Sequence, residues 1–206
     1  MRLPRRFAPG TLRFALPPLV AALPAAVLAP PVGFALVLLG AAVMAFFRDP
    51  ARTPPPTGVL APADGKVSVV REEGEQVRVG VFMNVTNVHV ARAPVGGDVE
   101  YVNHRPGAHR PAFSKESDRN ERVDVSFGDH EVSLIAGAFA RRIHPYVGPG
   151  DAVARGERIG HIAFGSRVDV LLPADVDRED VAVAVGDRVR AGETVIVGGG
   201  GARVVV

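Results

Sequence analysis

From Phe14 to Phe47 the chain carries no charged side chain. A run of that length is hard to place anywhere except in lipid or at its surface, because a helix crossing a bilayer needs roughly 17–25 apolar residues. Pro30-Pro31 divides the run into Phe14–Ala29 and Val32–Phe47. Each piece is near the lower limit for a span, so a tight helical hairpin is the expected form. Arg13 stands before it and Arg48 and Arg52 after it, and positive charge favours the cytoplasmic side, so both ends and the rest of the chain are expected there. A secretory signal peptide has the same basic start and apolar middle. Here, however, the run passes directly into Phe46-Phe47-Arg48-Asp49-Pro50, with no small-residue cleavage site followed by a polar start.

With 206 residues, 47% of them hydrophobic, the chain is long enough for one compact domain plus an appendage and too short for two full domains. There is no Cys, which excludes a disulfide framework, a thiolate metal site and a cysteine nucleophile. The net charge of +2 hides an asymmetry: Arg2, Arg5, Arg6 and Arg13 crowd the start, and acidic residues begin only at Asp49. This pattern reads as membrane topology rather than nucleic-acid binding. Trp is absent and aromatics make up 6% of the chain, so the stacking platforms that single strands need are missing and no nucleic-acid partner is expected.

Residues 53–57 contain three consecutive prolines, a stiff extended spacer between an anchor over 1–52 and a domain over 58–206. In that domain Val-rich runs at Lys66–Val70, Val77–Phe82, Val123–Phe127, Glu131–Ala136 and Arg167–Leu172 alternate and are parted by Gly, Pro and Asp. The expected fold class is therefore mainly β. An internal echo sharpens it: Gly150-Asp151 followed by Gly156-Glu157 returns as Gly186-Asp187 followed by Gly192-Glu193, each copy a hairpin corner before a strand. Such corners are common in barrel-sandwich domains that carry biotin or lipoate, and ordinary β-turns would look the same. The carriers need a Lys at a hairpin tip, and Lys66 and Lys115 both lie outside the stretch between the echoes. The fold hint survives; the carrier reading does not.

Between two apolar strand-like runs lies Gly165-Ser166. Glycine lets the backbone bend sharply, and strain at a carbonyl before a serine hydroxyl is what an intramolecular attack would exploit, although most Gly-Ser pairs are turns. Ser166 has no Gly-x-Ser-x-Gly elbow around it, which argues against a serine hydrolase.

In its surroundings, the segment Gly160 through Pro173 resembles the self-processing motif of the phosphatidylserine decarboxylases, where a Gly-Ser pair precedes an apolar strand ending in Pro. Three further stretches resemble the same family in the same order: Phe46–Pro50 after the anchor, Ala61-Pro62-Ala63-Asp64-Gly65-Lys66-Val67, and Asn87-Val88-His89-Val90-Ala91-Arg92-Ala93-Pro94. Lys115-Glu116-Ser117 with Asn120–Val123, and Ala136–Ile143, are similar to its short form, so the likeness covers nearly the whole chain.

The resemblance implies an enzyme that cuts itself between Gly165 and Ser166. The hydroxyl attacks the preceding carbonyl, elimination releases the upstream chain, and hydrolysis leaves a pyruvoyl group where Ser166 stood. That group is the implied cofactor, with no metal. The implied reaction takes phosphatidylserine in the membrane to phosphatidylethanolamine and carbon dioxide through a Schiff base, on the cytoplasmic face of the cell membrane. The two cleavage chains would remain together as a heterodimer, with a higher oligomer left open. A serine hydroxyl needs a base and a carboxylate to orient it, and the candidates are His89 and Asp64. Asp64 could instead bond its own turn, and His89 could be a satisfied structural imidazole. Longer relatives resembling this chain carry two histidines in the loop matching His89, and the second position here is Arg92. Proton transfer then falls on one histidine, or Arg92 pairs with the substrate carboxylate or phosphate. His144 reads as a surface residue; Arg141 and Arg142 read as a solvated edge or as a hold on lipid phosphate. A relative acting on another amino-lipid, or a membrane-tethered adaptor without activity, stands as the alternative.

Overall fold

The computed structural model describes residues 6–108, 119–137, 142–163 and 166–198, which fall into two compact units, one up to Ala51 and one from Arg52 onward.

The first unit is a hairpin of two apolar helices, α1 (Thr11–Leu28) and α2 (Pro30–Phe46), reversing at Ala29. Pro30 and Pro31 begin α2, where a missing N–H costs nothing, so they break the run as expected. Pro17, Pro18 and Pro24 lie inside α1, a placement that water disfavours and an apolar medium tolerates when neighbouring groups re-satisfy the backbone. Two glycines bring the helices together: a Cβ on Gly33 would lie 2.6 Å from the Ala26 backbone, and one on Gly40 would overlap Leu19. Leu12, Leu23, Val27, Leu28 and Phe34 point outward and are exposed, the reverse of a water-soluble hairpin. α1, 18 residues long, is long and apolar enough to cross a membrane, at about 27 Å; α2 is shorter, with 17. The open end is tied by the Ala8 N–H to the Phe47 carbonyl and the Asp49 N–H to the Arg6 carbonyl, 2.8 and 2.7 Å.

The second unit is mainly β, a curled half-barrel sheet with two smaller sheets. The strands are β1 (Val59–Leu60), β2 (Gly65–Glu73), β3 (Gln76–Met83), β4 (Val90–Arg92), β5 (Gly97–Arg105), β6 (Arg122–Phe127) and β7 (His130–Ala136). They continue as β8 (Ile143–Pro145), β9 (Ala152–Val153), β10 (Arg158–Ile162), β11 (Ser166–Leu171), β12 (Arg188–Val189) and β13 (Val195–Val197). The large sheet runs β12-β2-β3-β11-β7-β6-β5-β9, beside β4-β10-β8 and β1-β13. The pairings are antiparallel.

The echo in the sequence becomes an approximate two-fold in the hydrogen bonds. Leu60 donates to the Pro94 carbonyl and Arg92 to the Pro62 carbonyl; Ala61 donates to Thr194 and Ala93 to Glu157; Gly192 donates to Ala61 and Gly156 to Ala93. Val67 exchanges backbone bonds with Asp187 and Gly186, as Val99 does with Asp151 and Gly150. The corners need glycine at Gly156 and Gly192, whose φ values of 78° and 71° lie in the left-handed region that a Cβ disfavours. The proline stretch before β1 lies against this unit: Arg155 donates to the Pro55 and Gly58 carbonyls.

Candidate active site

Ser166 opens β11, an interior strand of the large sheet, where it pairs with Met83 on β3 and Ala136 on β7. The period of two sends Ser166, Val168 and Val170 to the core side, with Leu134 and Val132 beside them on β7 and Val81 and Val79 on β3. Ser166 is 0% exposed, and among the described residues its Oγ has no hydrogen-bond partner. A buried hydroxyl left unpaired costs on the order of 1–3 kcal/mol, so it marks a place where something other than stability is served. Its neighbour Ala136 is held firmly, its carbonyl accepting from Asn120 Nδ2 at 2.7 Å and its N–H donating to the Glu121 carbonyl at 2.9 Å. Gly165 lies outside the described residues, as do Lys115-Glu116-Ser117 and Arg141.

His89 is buried just ahead of β4. Its Nδ1 is 3.0 Å from the Asn87 carbonyl, and its own carbonyl accepts from the Ile162 N–H at 3.2 Å. Ile162 ends β10 and Ser166 begins β11, so four residues of chain, reaching at most about 14 Å, bound the distance from Ser166 to the strand end that holds the His89 carbonyl.

Sequence reasoning assigned no role to His161, and the structure brings it to the same place. It is buried in β10 between Val90 of β4 and His144 of β8. Its Nδ1 and the Tyr146 hydroxyl share a hydrogen bond of 2.8 Å, and its ring stacks on His144 with centroids 4.6 Å apart and 13° between planes. Gly160 permits this, since a Cβ there would stand 2.8 Å from the His144 carbonyl. Burial foremost, then His144 and His89, push the His161 imidazole down to about 4. His144 is exposed, as the sequence suggested, and burial and then Arg142 lower it too. The signal for His161 in the sequence was its place within the matched segment, where a polar ring interrupts a buried strand.

Asp64 accepts two bonds from Arg52, at 2.9 and 2.7 Å, and one from the Ala191 N–H at 2.8 Å. Arg52 also pairs with Glu193 at 2.9 Å. In the uncut chain the Asp64 carboxylate thus clamps the Pro62–Gly65 turn to the second hairpin corner. Arg92 is 4% exposed and donates to the Gly156 carbonyl at 3.0 Å, its Cδ 2.9 Å from where a Cβ on Gly192 would stand. It therefore fastens the two echo corners to each other, a contact between residues distant in the chain.

On the opposite face of β11, Arg167 donates to both oxygens of Asp169, at 2.7 and 2.9 Å, and both side chains are buried. Asp169 lies opposite Gly80 and Ser133, and Ser133 donates to Asp124 at 2.6 Å. Among the described residues no three acidic or histidine side chains converge as a metal site would require.

The phosphatidylserine decarboxylase family model matches residues 39–197, which makes the chain a decarboxylase produced as a proenzyme. The chain belongs to that family. It is 58% identical over 189 residues, 91% of this chain and 96% of the other, to the "Putative archaetidylserine decarboxylase proenzyme" of Halobacterium salinarum. It is also similar to the phosphatidylserine decarboxylase proenzymes of Thermobifida fusca, at 47% identity over 93% of this chain and 94% of that one, and Streptomyces griseus, at 50% over 76% and 74%.

Proposed function

We propose that this chain decarboxylates phosphatidylserine to phosphatidylethanolamine, using a pyruvoyl group that it makes from Ser166 by cutting the Gly165–Ser166 bond. The observation that carries the proposal is the buried, unpartnered Ser166 Oγ at the start of an interior strand, within chain reach of the buried His89. The fit is chemical as well as spatial: a dry site strengthens electrostatic interactions and keeps water from a reactive carbonyl. When formed, the pyruvoyl group supplies an electrophilic carbonyl that serves as an electron sink.

His89 takes the proton from the Ser166 hydroxyl during self-cleavage and delivers one to the product after carbon dioxide leaves, its Nδ1 side fixed by the Asn87 carbonyl. Asp64 is kept as the third member on the resemblance of its turn, and its role is read by replacement: Asp64→Asn should slow the cut. β11 lies between β3 and β7, while β12 pairs with β2 and β13 with β1. The piece beginning at residue 166 therefore stays bound to the larger piece as a heterodimer. The apolar hairpin supports a location at the cell membrane, and its flanking arginines support the cytoplasmic side. There its substrate stays, because each buried methylene contributes about 0.8 kcal/mol to retention.

A second reading, archaetidylserine as substrate, is favoured by the name of the Halobacterium relative. The two lipids share the seryl head group, so the chemistry at Ser166 is the same and only the tails differ. Carbon dioxide release from vesicles of each lipid separates the two. The test of the proposal itself is a denaturing gel with intact-mass analysis after a carbonyl-trapping reagent. Two pieces with the trapped group on the one beginning at residue 166 are expected, and a single unmodified chain overturns the reading.

A further inference from the structure

We infer that His161 is a positioning residue for His89, its ring fixed by the Tyr146 hydroxyl and covered by His144. The inference rests on the function proposed above, because it assigns His89 a proton-transfer task to be positioned for. Two contacts hold the ring, and the backbone sets it beside the His89 segment. β10 pairs His161 with Val90, the residue following His89, and Ile162 hydrogen-bonds the His89 carbonyl. The 2.8 Å hydrogen bond to Tyr146 sets the rotation of the ring about its own axis, and the stack on His144 fixes its plane. An imidazole needed only to fill space would ask for neither a hydroxyl on its edge nor a glycine beneath it, yet Gly160 is cut to the approach of the His144 carbonyl.

The titratable groups facing His161 are His89 from the β4 side, His144 from β8 and Tyr146 beyond it. Two imidazoles this close oppose being charged together. Burial first, then His144 and His89, favour the neutral form of His161, so the ring that β10 sets beside the His89 segment is an uncharged dipole. A neutral imidazole carries one ring proton, so the bond to Tyr146 can hold either tautomer and fixes the ring's rotation in both.

The test uses the full chain in detergent with three substitutions. His161→Phe keeps the ring and the stack but loses both nitrogens; Tyr146→Phe removes one oxygen. Each is expected to lower the self-cleavage rate and kcat about ten-fold, with KM and the melting temperature near those of the parent. In the uncut Ser166→Ala chain, each is expected to move the His89 titration midpoint, read by imidazole NMR. Unchanged rates with an unmoved His89 midpoint overturn the inference, as do rates that fall only in step with a lowered melting temperature. Should His161→Phe fail to fold, Tyr146→Phe decides alone. The NMR titration in the uncut chain needs no pyruvoyl group, so it reads the coupling even if the parent proves uncut and inert, a result that would remove the proposed function instead.

Discussion

β11 shows two unlike faces to the molecule. Ser166, Val168 and Val170 look into an apolar core, where the one polar atom has been left without a partner; Arg167 and Asp169 look the other way and are paired to each other through two bonds. Both faces are buried, and both hold polar atoms, yet they solve the problem of burial in opposite ways. The far face satisfies its charges and gains a fixed register, while the core face accepts an unsatisfied hydroxyl. A strand whose alternate residues are tied down so firmly can hold its first residue still, which is what a reaction between neighbouring atoms of one chain needs. Paired charges lie on one side and an unsatisfied hydroxyl on the other.

The contrast can be broken most completely by Ser166→Ala. Self-cleavage and carbon dioxide release should vanish, while thermal unfolding stays within about 1 kcal/mol of the parent, because the atom removed had no bond to lose. A gel showing two pieces in this variant would end the assignment of Ser166. Asp169→Ala should do the reverse, lowering stability by about 3–5 kcal/mol by removing the carboxylate that takes two bonds from the buried Arg167, as read from a melting curve; a shift of less than a degree would show that the pair is ornamental. The pH dependence sharpens the comparison from the core side. His161 is held neutral well below its ordinary 6.5, near about 4, so between these values the unfolded chain binds the extra proton. Stability present above about pH 6.5 is lost as the pH falls toward about 4, by roughly 3 kcal/mol at about 1.4 kcal/mol per unit. His161→Phe should flatten that part of the stability profile, and an unaltered slope would contradict the assignment. The smallest expected effect is that of Gly80→Ala, whose Cβ would meet the Asp169 carboxylate at 2.6 Å; about 1–3 kcal/mol should be lost, by the same melting curve.

Much of the fold could be read before any coordinates. The uncharged run with its Pro-Pro break gave the helical hairpin, and period-two alternation located β2, β3, β6, β7 and β11, because each of these strands buries one face against the same core. β5 was not found: Asp98, Glu100, Asn103, His104 and Arg105 leave it largely exposed, so it shows no apolar alternation to read. The echo of Gly-Asp and Gly-Glu pairs marked two corners, but that Arg92 joins them depends on contacts between residues distant in the chain. The proline stretch, read as a stiff extended spacer, takes hydrogen bonds from Arg155 at the Pro55 and Gly58 carbonyls, a contact that no local pattern announces.

By itself the sequence determined the chemistry available and where it sits along the chain: no thiol, an apolar start, a glycine before Ser166, a histidine at 89 and a carboxylate at 64. Those are properties of single residues and their near neighbours, and no folding is needed to know them. Which groups share a space was decided only by the tertiary structure. It set His161 opposite Val90 through β10 and β4, tied Asp64 to Arg52 and Ala191, and brought Arg92 to the corners. Hydrogen bonds and burial act across a few ångströms of space whatever the separation in sequence, so only the folded chain could make these pairings.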